Sequence, residues 1–348
     1  MNIIHETISL CEHCYSHVPA ICFERDGAIW LGKTCNSHGY LEHLVEPDAE
    51  FYLNYEYKWR PLETYCLDIT NRCNLNCPQC YQMPDNMSTD KPYKFILDKI
   101  ESYPHDEYNI ALMGAEPTTR KDLSRLVQGI NNLDRITPEI MVLTNGVNLS
   151  NKDYIKQFVG IDNLFWTFGL NHPDYQGASV REKQMQGIQN CIEFGQTIKN
   201  VSYTLEDFTQ LEYCLEEIQK FKTSFCKNYR IRCGANIGRS PAGEKIFMSG
   251  LVKEVKKICD ARGWVIEQEL EFGNRAHYSI FINGVPVKII QWPDTTTIDL
   301  EELQTESWAD MLPAMPISPL IHQVMLRDGL VNKGLPLPDL IPKKYRRL

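Results

Sequence analysis

The amino-acid sequence predicts an α/β protein: a parallel sheet flanked by helices and curved into a full or partial barrel, with a small metal-binding lobe in front and an extension behind. Three observations lead there. From Thr64 onward, strand-like runs alternate with helix-period stretches six times, the pattern that builds parallel sheets. Ahead of them, Cys-x-x-Cys and Cys-x-x-His lie either side of an Asp-Gly turn. Behind them, the period drops back to two around Asn283-Gly284 and gives way to a proline-rich tail.

The chain has 348 residues, 43% of them hydrophobic, with 36 Lys and Arg against 45 Asp and Glu. That length buries a full core with additions. The N-terminus lacks the basic start and apolar core of a secretory signal. No apolar run approaches the length of about 20 residues that spans a bilayer, so the sequence places the protein in the cytoplasm. Its thirteen cysteines stay reduced there, and clustered ones read as metal ligands or catalysts rather than as disulfides. The acidic balance speaks against a nucleic-acid footprint, which needs clustered Lys and Arg. The one basic run, Lys343 to Arg347, reads as a solvated tail.

The lobe, residues 1–60, holds CEHC with Cys11 and Cys14, then CNSH with Cys35 and His38. Asp26-Gly27 between apolar-alternating runs is a hairpin signal. A hairpin that brings the two pairs together makes a four-ligand tetrahedral site for zinc or a single iron. A lobe this small gains from a metal the folding energy its own core lacks. Cys22 is expected in that small core, and His13 and His17 are competing ligands.

Strands are expected at 64–70, 108–114, 139–145, 164–170, 200–206 and 229–237. QLEYCLEEIQKF and EKIFMSGLVKEVKKICDARG are the clearest helices. In the second, Phe247, Leu251, Val255 and Ile258 recur on one helical face. Cys214 and Cys259 read as small buried hydrophobes on their helices; a further cluster from Cys226, Cys233 and Cys259 is a weaker alternative. Cys66 shares a strand face with Asp68 and Thr70, opposite Tyr65, Leu67 and Ile69, and that polar face points either inward or toward the helices. HYSIFINGVPVKIIQW reads as an antiparallel hairpin, and the tail from Pro293 contains one short helical piece.

The stretch ITNRCNLNCPQCYQ follows the first strand with Cys73, Cys77 and Cys80. It lies on the loop at the strand's C-terminal end, where α/β enzymes carry their chemistry. Three thiolates fit a four-iron cluster with one iron left open; a zinc site and a reactive thiol group are the alternatives. An iron without a protein ligand is free to bind a small molecule.

At these residues the sequence resembles the radical SAM superfamily. The resemblance implies a partial (β/α)6 TIM-like barrel, a [4Fe-4S] cluster on Cys73, Cys77 and Cys80, and S-adenosyl-L-methionine (SAM) on the fourth iron. It implies reductive cleavage of SAM to a 5′-deoxyadenosyl radical that takes a hydrogen atom from substrate. MGAEPT at Met113 to Thr118 is similar to the family's Gly-Gly-Glu-Pro motif, which puts Gly114, Ala115 and Glu116 at the methionine ammonium, with Ala115 in place of the second glycine. A carboxylate facing an ammonium makes charge-assisted hydrogen bonds. LTNG ends the third strand and adds Thr144 and Asn145; GLNHPD ends the fourth with Asn171 and His172. GANIGR ends the sixth, with Arg239 as partner for the SAM carboxylate. Gln79 stands where an aromatic residue is usual beside adenine, and Tyr81 is its substitute.

The barrel resemblance covers residues 61–263, leaving 264–348 as a hairpin and a substrate-covering extension. The lobe, of zinc-ribbon or rubredoxin-like type, is similar to that of the group with tetraether lipid synthase and the pterin-cofactor methyltransferases, which implies methylation or carbon–carbon bond formation. The chain lacks the further Cys-x-x-Cys pair expected between lobe and barrel. A small or modified substrate and an electron donor such as flavodoxin or ferredoxin complete the expectation. The competing class is a non-enzymatic zinc or iron-sulfur protein acting as an interaction or redox module.

Overall fold

The computed structural model describes residues 1–14, 16–54, 64–77, 80, 84, 86–87, 90–103, 108–170, 172–233, 245–268, 277–291 and 296–297. By their contacts the residues group into two units, one of 1–61, 233–283 and 288–348, the other of 62–232 and 284–287.

The first unit begins with a four-stranded antiparallel meander, β1 (Asn2–Leu10), β2 (His17–Arg25), β3 (Ala28–Cys35) and β4 (Gly39–Glu46), followed by α1 (Ala49–Asn54). The β2–β3 turn has φ of 54° at Asp26 and 75° at Gly27. Positive φ at both central residues matches the strand twist and accounts for the Asp-Gly sequence. The sequence showed the middle hairpin; β1 and β4 extend it to a sheet. Because successive strands reverse, the β1–β2 and β3–β4 turns lie at the same end, and these turns carry the two ligand pairs. Cys22, Ile29, Leu31, Ala20, Ala49 and Tyr52 form the core at the other end, with Cys22 buried as expected.

The second unit starts with β5 (Thr64–Thr70), α2 (Tyr93–Glu101), β6 (Asn109–Gly114) and α3 (Leu123–Asn131). It continues through β7 (Ile140–Thr144), α4 (Lys152–Ile155), β8 (Leu164–Gly169), α5 (Pro173–Gln176) and α6 (Ala178–Glu193), then β9 (Thr197–Leu205), α7 (Leu211–Phe221) and β10 (Cys226–Cys233). The strands lie in sequence order, with parallel pairing from β5 through β9 and β10 beside β9. Helices cover the sheet through one repeated pattern. Leu123, Leu126, Val127 and Ile130 on α3, and Leu211, Cys214, Leu215 and Ile218 on α7, are all buried at i, i+3, i+4 and i+7. Burying each such large side chain is worth about 1.5–3 kcal/mol.

Which face of the sheet is covered follows from the packing. Tyr65 stacks on Tyr103 just after α2, Trp166 meets Phe158 edge-on, and Tyr229 donates its hydroxyl to Lys222 O at the end of α7. The alternate residues Cys66, Asp68, Thr167 and Arg230 therefore face the other way, inward. Cys66 and Arg230 lie on the first and last strands of the six, yet each feels the other's charge. The sheet curls so that β5 and β10 approach each other across an interior, as a partial barrel requires.

Back in the first unit come α8 (Met248–Arg262), β11 (Ile266–Gln268) and β12 (His277–Ile282), and β13 (Val285–Ile290) is divided between the two units. Leu251, Val255 and Ile258 of α8 are buried, as their spacing predicts. By its contacts α8 groups with the meander, although the sequence had placed it with the barrel. β11 pairs with β12. The turn from β12 to β13 repeats the earlier chemistry, with φ of 51° at Asn283 and 75° at Gly284. Among the described residues, no helix is long and apolar enough to cross a membrane.

Candidate active site and metal centre

The lobe's four ligands converge as the sequence predicts. Cys11, Cys14, Cys35 and His38 place their ligand atoms within 4.8 Å of one another. Cys14 Sγ lies 3.7 Å from Cys35 Sγ, and His38 Nδ1 lies 3.4 Å from the sulfurs of Cys11 and Cys35. A tetrahedral ion with Zn–S bonds of about 2.3 Å sets its sulfurs about 3.8 Å apart, so the set fits one ion. The Ser37 backbone N–H and then the His38 ring hold the Cys35 thiol down to about 6, which favours the ligating thiolate. His13 stacks on the His38 ring at 5.0 Å instead of joining the set, and His17 lies on β2 outside it.

The second site is the C-terminal edge of the parallel sheet in the second unit. Thr70 closes β5 and the chain turns at once into the cysteine loop. Arg72 fixes that turn: its guanidinium donates to both Asp90 oxygens, at 3.0 and 2.5 Å, and to Thr119 O at 3.2 Å. Thr70 Oγ1 donates to the same Asp90 at 2.7 Å. These contacts outweigh the effect of burial and hold the Asp90 carboxyl below its usual range. Cys73 then donates its backbone N–H to Asn86 Oδ1 at 3.0 Å.

Beyond it the loop is tied to the ends of β6 and β7. Asn145 donates its side-chain amide to Asn74 Oδ1 at 2.7 Å, and Asn74 donates to Asn148 Oδ1 at 3.1 Å. Gly114 has φ of 136°, and a Cβ there would meet Thr70 O at 2.4 Å. Ala115 N donates to Thr70 O and Glu116 N to Arg72 O, both at 2.9 Å. The family's first glycine is thus required by this backbone approach, and the departure from the motif falls on its neighbour.

Glu116 is almost fully buried. Its Oε1 accepts from Thr118 N, Thr118 Oγ1 and Thr144 Oγ1 at 3.0, 2.6 and 2.7 Å, and its Oε2 accepts from Asn145 N at 2.6 Å. Burial raises its carboxyl above the ordinary value, against those four donors. Sequence reasoning put this carboxylate on the SAM ammonium; the structure gives three of its contacts to one oxygen and leaves only Oε2 with spare accepting capacity. Thr144 and Asn145 are likewise engaged with Glu116 and the loop. Gly114, Ala115, Glu116, Thr144 and Asn145 therefore come together as the frame of the cysteine loop. Tyr81, Asn171 and Arg239 lie outside the described residues. His172 caps α5, accepting from Asp174 N at 3.3 Å, and packs edge-on against Tyr213.

The three loop thiols are half-buried. Burial pushes the Cys73 thiol up to about 12, with Glu116, Cys80 and Cys77 adding to it and the Leu75 N–H opposing. A reactive free thiol needs the opposite shift. Leu75 N donates to Cys73 Sγ and Gln176 Nε2 to Cys77 Sγ, both at 3.3 Å. N–H donors aimed at sulfur are what iron-bound thiolates take up, so the donor set fits an iron-sulfur cluster. Sequence reasoning missed Arg72, Asp90, Asn74, Gln176 and Gln184 in this frame.

Residues 3–47 match the family model described as the HMPTM N-terminal zinc ribbon domain, and residues 67–210 match that of the radical SAM superfamily. This chain carries a radical SAM domain. The domain implies a [4Fe-4S] cluster and SAM, and the zinc ribbon supports a metal at Cys11, Cys14, Cys35 and His38. The 7,8-dihydro-6-hydroxymethylpterin dimethyltransferase of Methanocaldococcus jannaschii is 26% identical over 228 residues, 55% of this chain and 45% of that protein. A probable GTP 3′,8-cyclase of Methanococcus maripaludis is 28% identical over 171 residues, 44% of this chain and 56% of that protein. The chain thus spans about half the length of the curated relatives it matches. Among solved structures, SuiB of Streptococcus suis bound to S-adenosylmethionine aligns with a TM-score of 0.48 at 14% identity, over 68% of this chain and 51% of that one.

Beneath the radical SAM loop the inward face of the sheet is polar. Asn200 donates to Thr167 Oγ1 at 3.2 Å, and Ser202 follows Asn200 on the same side. Burial lowers the Arg230 guanidinium to about 10, Arg232 lowers it further and Cys66 opposes. Burial also lowers the Lys91 ammonium, against the pull of Asp68. The polar face of β5 thus points inward.

Proposed function

We propose that this chain is a radical SAM enzyme acting on a small polar substrate, by methylation or carbon–carbon bond formation. One observation carries the reading: three cysteines on the loop after β5 are braced to the ends of β6 and β7 by Glu116, Asn145 and Arg72, with N–H groups donated to the sulfurs. When bound, a [4Fe-4S] cluster and SAM supply a 5′-deoxyadenosyl radical by one-electron cleavage of the sulfonium, and that radical abstracts hydrogen. The chain's own residues do the rest. Cys73, Cys77 and Cys80 would hold the cluster, while Gly114 and Ala115 would offer backbone groups to SAM. Asn145 and Glu116 hold the loop in place, and Glu116 Oε2 retains capacity for an ammonium.

The polar inward face supports a heterocycle of the pterin or nucleotide kind over a lipid chain, because Asp68, Thr167, Asn200 and Arg230 offer hydrogen bonds that an alkyl chain would leave unmet. Similarity to a pterin dimethyltransferase supports the same choice. A one-electron donor of flavodoxin or ferredoxin type and a reducing, cytoplasmic setting go with this chemistry. The test is anaerobic reconstitution with iron and sulfide. The protein should turn brown and, once reduced, convert SAM to methionine and 5′-deoxyadenosine; Cys77→Ala should do neither. Colourless protein holding only zinc after that treatment would refute the proposal, and iron-loaded protein that leaves SAM intact would make it a redox module.

A further inference from the structure

Two glutamines form a relay that ends on a cluster ligand. Gln184, on α6, is almost fully buried. Its Nε2 shares two N–H protons among three acceptors, Asn145 O at 2.9 Å, Gly169 O at 3.0 Å and Gln176 Oε1 at 3.0 Å. Gln176, on α5, in turn donates Nε2 to Cys77 Sγ at 3.3 Å.

The direction of this relay is fixed by chemistry. Side-chain amides are reversible in principle, and their oxygen and nitrogen are assigned from their surroundings. Here two of the acceptors are backbone carbonyls at the ends of β7 and β8, which accept and never donate. The Gln184 amide must therefore present its N–H groups to them; reversed, its oxygen would face three acceptors. Its own Oε1 is buried without a hydrogen-bond partner among the described residues, and no rotation of the amide satisfies both ends. With Gln184 so oriented, Gln176 must turn Oε1 toward it. The end of Gln176 that reaches sulfur is then its N–H.

We infer that Gln176 is a cluster-tuning residue and Gln184 its positioning residue: together they hold an N–H donor on the Cys77 thiolate and raise the reduction potential of the iron-sulfur cluster. The inference rests on the proposed reading of Cys73, Cys77 and Cys80 as cluster ligands. A hydrogen bond to a thiolate stabilises negative charge on sulfur. The reduced cluster carries one more electron than the oxidised one, so the bond favours the reduced form. Gln184 reaches the Cys77 sulfur only through Gln176, since it donates to Gln176 Oε1 and not to that sulfur.

The test is an EPR-monitored redox titration of anaerobically reconstituted full-length protein. Gln176→Leu should load iron as the parent does and shift the potential to more negative values. At a fixed poise the oxidised-to-reduced ratio should rise roughly tenfold, about 59 mV for one electron. Gln184→Leu should shift it in the same direction, and should add nothing in a Gln176→Leu background, because the two act in series. Should Gln184→Leu fail to fold, Gln176→Glu decides the matter, since a carboxylate offers the sulfur no N–H and should shift the potential further down. An iron-loaded Gln176→Leu with the parent's potential and EPR line shape overturns the inference while leaving the cluster reading intact. Additive shifts from the two leucines overturn the relay. A parent protein that binds no iron overturns both.

Discussion

Asn145 donates its backbone N–H to Glu116 Oε2 at 2.6 Å, joining the end of β7 to the turn that follows β6. The same Asn145 reaches with its side chain to Asn74 in the cysteine loop. A carboxylate thus sits behind the site and holds one strand end against another, while its hydrogen-bond partner Asn145 holds the loop. Glu116 also caps the short 3-10 turn at Pro117–Thr119 through Thr118 N. Its four donors make it a structural hub that a ligand's ammonium can join only at Oε2.

Replacing Glu116 with Gln tests that role. The amide would turn an NH2 toward donors that now meet an oxygen, leaving at least one N–H or O–H of Thr118, Thr144 or Asn145 without an acceptor. Each buried unsatisfied group costs about 1–3 kcal/mol. Glu116→Gln should therefore lower stability by about that much in denaturant titrations before any SAM is added, and should load less iron. A variant with the parent's stability and iron content but weaker SAM binding would return Glu116 to the role the family motif assigns it.

The Arg72 and Asp90 pair gives a pH signature. Asp90 has its carboxyl held below the ordinary value by Arg72 and Thr70, in spite of burial. Its contribution to stability is then fully present above the unfolded-state value of about 3.9 and is lost as pH falls through the lower folded value. Asp90→Asn should be less stable than the parent by about 1–2 kcal/mol at pH 7, and the gap should close as pH falls through the lowered folded value. Chemical denaturation at several pH values reads this directly. A gap that persists unchanged at pH 2 would show that shape, not charge, is what Asp90 supplies.

In the lobe, Lys33 has a fully buried side chain; its Nζ donates to Leu10 O at 2.8 Å and Thr296 O at 3.0 Å and forms an ion pair with Glu12 Oε2 at 2.7 Å. Lys33→Met keeps the volume but takes from Glu12 one of two partners, leaving His43 Nε2 at 2.7 Å on Oε1; removing one partner of a buried pair costs up to about 3–5 kcal/mol. Thermal unfolding of the variant should begin at lower temperature, and zinc should leave to a chelator faster than from the parent. Unchanged chelation kinetics would separate Lys33 from the metal knuckle.

What the sequence revealed depended on range. The strand at Thr64–Thr70 and the helix patterns of α7 and α8 were visible because periodicity is a local property. So were the two turns with positive φ, since Asp-Gly and Asn-Gly carry their backbone preference with them. The four zinc-ribbon ligands and the cysteine triplet were visible by spacing. The frame around the triplet was not: Gln176 lies 99 residues from Cys77 and Asn145 lies 71 from Asn74, and glutamine or asparagine has no spacing rule at such distances. Glu116 did leave a local signal. An acidic residue before Pro117 and Thr118 reads as a cap with proline at the first helical position, and the stronger family motif obscured it.

Gly114 and Ala115 allow a last test, because the family motif treats them alike and the structure does not. At Gly114, φ of 136° and a Cβ 2.4 Å from Thr70 O make any side chain both strained and clashing. The contact is with backbone, so no side chain can swing aside to relieve it; β5 and β6 must separate where Thr70 O accepts from Ala115 N. Gly114→Ala should therefore displace Arg72 and the cysteine loop, reducing iron uptake and stability together. Ala115 carries no positive φ, and Ala115→Gly restores the family's second glycine. It should change stability by less than about 1 kcal/mol and leave iron loading as it was. Equal damage from both substitutions, measured by iron per chain and by melting, would mean that the backbone approach at Gly114 is not what selects glycine there.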